Sequence, residues 1–253
     1  MYDAQLIVLI IGVFGGFVGS LLGIGGGSLM TPLMIAVGID TKVAVASSLL
    51  AIVGTSIGGL NIYMKEKLVD IRLALMLEPL STLGAITGVF LALRLDNIII
   101  KILLFGILVY TAYSMIHRPR RDDNEGLPAG SIIPTNRILA GGLLKYIAGL
   151  ASALLGIGGG IVNIPIFRKV IGLNMKTSVA TSKLLVGITA SAGALGYYIA
   201  GVLDPCLAFS LSLGTISGAY LGSKVGVKTS NRTLQLLFSI VLIIIAVLML
   251  VRR

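Results

Sequence analysis

The chain alternates long apolar runs with short polar breaks. Runs near the length of a bilayer crossing, about 20 residues, occupy 6–22, 43–64, 71–93, 98–117, 138–155, 178–200, 205–223 and 233–251. Two shorter apolar pieces, 28–38 and 161–171, each follow a glycine cluster. As helix, each reaches only about 16 Å at 1.5 Å per residue, so neither crosses a hydrocarbon core of about 30 Å alone. The pattern predicts an all-α polytopic membrane protein with eight long helices and two short, glycine-led helices, broken or re-entrant. Residues 118–137, from Arg118-Pro-Arg-Arg to Arg137, are the one long polar stretch and predict a cytoplasmic linker.

That linker separates two copies of one unit, 1–117 and 138–253. Residues 20–27 read SLLGIGGG and 153–160 read ALLGIGGG, each with a proline five places on, Pro32 and Pro165. One residue of slippage then aligns VASSLL at 45–50 with VATSKL at 179–184, Asp70 with Asp204, Gly84 with Gly218, Gly88 with Gly222 and Asn97 with Asn231. Internal duplication in a helical membrane protein is a mark of transporters, with substrate between the repeats.

Composition removes other classes. Of 253 residues, 56% are hydrophobic and 12% charged, against 45–50% and roughly 25% in soluble domains. One core cannot hide that much apolar surface, which excludes an ordinary soluble enzyme, a disordered chain and a disulfide-rich secreted domain. Cys206 and His117 are the sole cysteine and histidine, so neither a thiolate metal cluster nor a Ser-His-Asp arrangement is expected, and no cofactor motif is present. Met1-Tyr-Asp-Ala-Gln carries no basic segment before its apolar run, so the first run reads as a helix and not as a cleaved signal.

The net charge of +10 reads as orientation and not as nucleic-acid binding, because Lys and Arg in short loops stay cytoplasmic. Loops 64–72 and 168–176 are basic, whereas the aligned loops at 200–205 and 38–42 carry no basic residue and only Lys42. Aligned loops of opposite character predict repeats of inverted topology, five crossings each, if the glycine-led pieces complete a crossing. Loops 64–72, 117–137, 168–176 and 224–232 then lie inside with 13 basic residues, against five outside.

The chemistry is sparse. Four glycines in five residues make poor helix interior, at about 1 kcal/mol per Gly relative to Ala. Unwound backbone at membrane depth needs protein or a wet cavity around it. Each cluster leads into a fresh helix start, whose free N–H groups and positive dipole end suit an anion. Close packing through small residues is the plainer alternative. The candidate substrate-binding residues are Gly25, Gly26, Gly27, Ser47 and Ser48 in the first copy, and Gly158, Gly159, Gly160, Asn163, Thr181, Ser182 and Lys183 in the second. Lys183 either snorkels to an interface or neutralises an anion; Lys145 is a weaker second cation. Glu78, beside Pro79, is the one carboxylate deep in an apolar run, a candidate for proton coupling or for a structural ion pair.

With the two GxGGG(x)4P motifs and the VASS and VATSK segments, the chain resembles the TauE/SafE sulfite-exporter family over nearly its whole length. The resemblance implies an integral inner or plasma membrane transporter of sulfur-containing anions such as sulfite or sulfonates, and it implies export. Together these observations predict a secondary carrier of a small anion, embedded in the lipid bilayer, working by alternating access. An anion channel, or a membrane subunit of a larger complex, remains open.

Overall fold

A computed structural model describes residues 2–116 and 126–228. The run 233–251, the aligned Asn231, loop residues 229–232 and His117 lie outside the described residues, as do Arg252 and Arg253. The described residues form α1 (Tyr2–Leu22), α2 (Gly27–Ala36), α3 (Thr41–Lys65), α4 (Ile71–Arg94), α5 (Asn97–Ile116), α6 (Thr135–Leu155), α7 (Gly160–Pro165), α8 (Met175–Ile199) and α9 (Pro205–Lys228). A π-helical turn, Ile166–Ile171, extends α7 past Pro165. Among the described residues, six helices (α1, α3, α4, α6, α8 and α9) are long and apolar enough to cross a membrane.

Capping side chains fix where several helices begin. The Asp40 carboxylate accepts the Lys42 and Val43 amides at the start of α3. Asp70 accepts Leu73 N–H at α4, Asn174 accepts Thr177 N–H at α8, and Asp204 accepts the Cys206 and Leu207 amides at α9. Each bond satisfies an N–H that has no acceptor within its own helix. The short helices start differently, on glycines in the left-handed region, Gly26 (φ 81°) and Gly159 (φ 70°). Any other L-residue is strained there.

The side-by-side contacts sort these helices into two opposite senses. α1, α3 and α9 run parallel from the end marked by Asp40. An added Cβ at Gly214, Gly218 or Gly222 of α9 would strike the carbonyls of Leu9, Val13 and Phe17 on α1, so those backbones pack without intervening side chains. α4 and α6 run parallel to each other in the opposite sense, with Gly84 against the Tyr146 carbonyl and Gly149 against that of Ser81. α8 is antiparallel to α3, with Gly193 beside Leu49 and Gly59 beside Lys183.

The glycine-led segments double back. After α1, the chain turns so that Gly26 lies against Gly15 and Gly19, and Met30 against Gly15; α2 therefore returns along α1 toward Asp40. The segment Gly156–Ile171 does the same after α6 and arrives at 172–174. The two pieces thus link the far end of one long helix to the opposite end of the next, a broken traverse.

Three of the loops expected on one side do gather at one end. Leu127 N–H bonds to the Gly172 carbonyl at 2.8 Å, and Asn174 N–H to the Leu127 carbonyl at 3.0 Å. Gly130 N–H donates to the Asp70 carboxylate, and Asp70 N–H to the Thr181 hydroxyl, both at 2.9 Å. At the other end Asn97 Nδ2 donates to Asp40 at 2.8 Å and Lys42 Nζ to the Leu93 carbonyl at 3.1 Å.

Candidate functional site

The two glycine clusters meet. A Cβ on Gly27 would collide with the Gly156 carbonyl, and one on Gly160 with the backbone of Ile24. Gly25 and Gly158 share one lid: a Cβ at either would lie within 3.2 Å of both Ile52 and Val186. Close packing is therefore part of why these positions are glycine. The Gly25 amide is also occupied, donating to the Gly19 carbonyl at 3.3 Å. In the first turns of α2 and α7, the leading amides have no acceptor within the helix.

Among the described residues, the buried hydroxyls with no partner include Ser28 and Ser152, beside the glycine loops in sequence, and Ser47 and Ser182 on α3 and α8. Ser47 and Ser182 are two of the residues expected at a binding site. Of their neighbours, Ser48 donates weakly to the Met34 sulfur at 3.8 Å, while Thr181 is engaged with Asp70 at the loop end. Unpaired buried polar groups are uncommon in folded proteins because each carries a desolvation penalty of about 1–3 kcal/mol.

Lys183 does not snorkel. It is 2% exposed, its ammonium bonds to Ser20 Oγ, and Ser20 bonds in turn to Ser223. The Tyr63 ring lies 5.6 Å from the ammonium, and its hydroxyl donates to the Ser20 carbonyl at 3.2 Å. Ser56 Oγ donates to the Lys183 carbonyl at 2.8 Å, tying α3 to α8 at this level. Among the described residues no carboxylate pairs with Lys183. A buried cation held by hydroxyls and an aromatic face, without a counter-ion, leaves part of its charge available to an anion.

The second buried charge cluster lies between α4, α6, α7 and α8. Lys145, 0% exposed, donates to Asn163 Oδ1 at 2.8 Å. The other half of that amide, Nδ2, has no partner. Glu78 Oε1 accepts Thr189 Oγ1 at 2.7 Å and Thr82 Oγ1 at 3.3 Å, and Oε2 has none. The site thus joins Asn163 to Lys145, leaves Lys183 in a separate cluster, and adds Ser20, Ser28, Tyr63, Ser152, Thr189 and Ser223, which the sequence reading did not single out. Among the described residues no three His, Cys, Asp or Glu side chains come together to hold a metal.

The sequence profile of the sulfite exporter TauE/SafE family matches residues 8–249. The chain belongs to the TauE/SafE family. It is 27% identical to "Probable membrane transporter protein YunE" of Bacillus subtilis, with 95% of each chain covered. It is 28% identical to a "Probable membrane transporter protein" of Methanocaldococcus jannaschii, with 96% of this chain and 94% of that one covered. A similarly named Haemophilus influenzae protein is 26% identical, with 98% of each covered. No solved structure matches. Family, relatives and the candidate spans make this TauE/SafE chain a multi-pass membrane transporter.

Proposed function

We propose that the protein is a secondary carrier, in the cell membrane, of a small oxidised-sulfur anion such as sulfite or an organosulfonate. It works by alternating access between two inverted repeats. The observation that carries the anion reading is Lys183, a buried ammonium held by Ser20 without a carboxylate partner among the described residues. The unpaired hydroxyls of Ser47 and Ser182 and the converging starts of α2 and α7 support it.

Inversion draws support from the packing. α1 pairs with α9 as α4 pairs with α6, and α3 with α9 as α4 with α8. The pairs exchange when α1–α4 are swapped for α6–α9. Aligned helices run in opposite directions, and aligned tyrosines make the same bond: Tyr63 to the Ser20 carbonyl, and Tyr197 to the Ala153 carbonyl at 3.1 Å. Two half-structures that fit together in this way can rock about a shared centre. Here that centre is the crossing of the glycine loops.

The choice of sulfur anion and of export rests on the family's name. Proteoliposomes holding the purified chain test the choice of anion and the carrier reading. Radiolabelled sulfite should enter by counterflow, accumulating against its own gradient while unlabelled sulfite leaves. Flux that only runs down the gradient identifies a channel instead. Flux in a Lys183→Gln variant equal to wild type removes Lys183 from the site.

A further inference from the structure

We infer that Glu78, Lys145 and Asn163 form a proton-binding site linked to the anion path, so that the carrier moves its anion and a proton in the same direction. The inference rests on the anion-carrier reading and supplies its coupling ion.

Glu78 and Lys145 face each other across α4 and α6 without a direct ion pair among the described contacts. Each is held by neutral groups instead: Glu78 Oε1 by Thr189 and Thr82, Lys145 by Asn163 Oδ1. From α6 the one charged group acting on Glu78 is Lys145. From α8 comes only the Thr189 hydroxyl, itself bonded to Ser81 at 2.9 Å. The π-helical turn packs Phe167 and Ile171 around the neighbouring Leu77. Glu78 therefore depends on a single positive charge in an enclosed place.

Two polar atoms of this cluster are buried and have no partner among the described residues, Glu78 Oε2 and Asn163 Nδ2. One is an acceptor with room for a proton and the other a donor suited to an oxyanion. Asn163 sits in the first turn of α7, three residues beyond Gly160 at the crossing of the loops. An anion reaching Asn163 Nδ2 comes under the charge of Lys145. Lys145 then compensates the anion, and Glu78 is left as a second negative charge in a buried place, which is costly. Taking a proton from water onto Oε2 removes that charge. When the anion leaves, Lys145 again faces Glu78 alone and the proton is released. Anion and proton each raise the other's affinity by the same factor, as linkage requires.

The device exists once per chain. The aligned positions in the other repeat hold Gly12 for Lys145, Met30 for Asn163 and Ser212 for Glu78. A merely structural ion pair would need neither the separated geometry nor the free amide.

The test uses the purified full chain with sulfite as probe, followed by infrared spectroscopy of the protonated carboxyl C=O band and by binding calorimetry. Sulfite binding at constant pH should make a carboxyl band grow in the wild type, and Glu78→Gln should lack that growth. In proteoliposomes clamped at zero membrane potential, a pH gradient should drive sulfite accumulation in the wild type. In Glu78→Gln that drive should be lost, and counterflow should no longer vary with pH. Binding without band growth overturns the proton site and leaves the anion carrier standing. Growth that persists in Glu78→Gln, or accumulation driven equally by a sodium gradient, also overturns it. Absence of sulfite binding overturns the anion reading and this proposal with it.

Discussion

Lys183 and Leu49 occupy aligned positions, eight residues into α8 and α3, and their surroundings differ only in chemistry. Around Lys183 stand Ser20, Ser223 and Gly59; the positions aligned with these, near Leu49, are Ala153, Val89 and Gly193. Leu49, Ala153 and Val89 belong to the hydrophobic core, and a Cβ at Gly193 would meet Leu49 Cδ1 at 3.0 Å and Ala153 Cβ at 3.4 Å. Both corners keep the same tyrosine-to-carbonyl bond, with Tyr63 in one and Tyr197 in the other. One backbone frame thus accepts either a hydrocarbon plug or an ammonium with two hydroxyls. The frame does not need the charge. A buried cation that the fold does not require is a mark of function, since such groups are retained at a cost in stability.

The comparison is broken most severely by Lys183→Leu, which turns the polar corner into a copy of the apolar one. Sulfite counterflow should fall by about two orders of magnitude, the scale of a lost buried charge contact of about 3 kcal/mol. At the same time, unfolding in detergent should show a gain of about 1–3 kcal/mol, because an enclosed charge gives way to hydrocarbon. A loss of stability would make Lys183 a structural residue.

The two glycines sharpen the comparison. An added methyl at Gly59 would displace the Lys183 side chain and Ser223, both of which end in movable groups. Gly59→Ala should therefore lower counterflow by about tenfold, equivalent to about 1.4 kcal/mol at the site. Gly193→Ala presses on Leu49 and should register as a stability change of about 1 kcal/mol, leaving transport intact.

Asp70 and Asp204 both cap helices, but Asp70 also holds Gly130 of the linker. Replacing either with Ala should cost about 1 kcal/mol as a lost cap. Asp70→Ala should cost roughly 1 kcal/mol more for the charged bond to the linker. Limited proteolysis within 126–134 should speed up in that variant alone.

The smallest effects come from Tyr63→Phe and Tyr197→Phe, each a lost hydrogen bond of about 1 kcal/mol. Counterflow should be sensitive only to Tyr63→Phe, because the lost hydroxyl holds the carbonyl of Ser20, the residue that bonds the ammonium. Each variant keeps its ring and loses one equivalent bond, so stability changes that differ by more than about 1 kcal/mol would contradict the shared frame.

Much of this architecture can be read in the sequence because the membrane imposes a simple rule. Twenty apolar residues make a helix there, and α3, α4, α6 and α8 begin and end within a few residues of the predicted runs. The short α2 and the broken traverse after Gly156 were legible too, since repeated glycine cannot continue a helix. The π-helical turn at Ile166–Ile171 carries no such signal.

The charged members of the two buried clusters stand out in the sequence, and most of their hydroxyl partners do not. Glu78, Lys145 and Lys183 stand out because ionisable residues are rare at membrane depth. Ser20, Ser223 and Thr189 look like ordinary small residues of packed helices, and only their distant partners give them a role. A signal existed nonetheless: Ser20 replaces Ala153 and Ser223 replaces Val89 in the aligned register. The positions where the two copies disagree in polarity locate both clusters. Thr181 shows the reverse, a hydroxyl in a conspicuous motif that the fold uses to hold the Asp70 amide.

Calorimetric titration of the purified full chain with sulfite, wild type beside Lys183→Leu, decides whether the buried ammonium holds the anion. The anion-carrier reading predicts saturable sulfite binding in the wild type and no measurable binding in the variant despite its greater stability. Equal binding by the two proteins would contradict it.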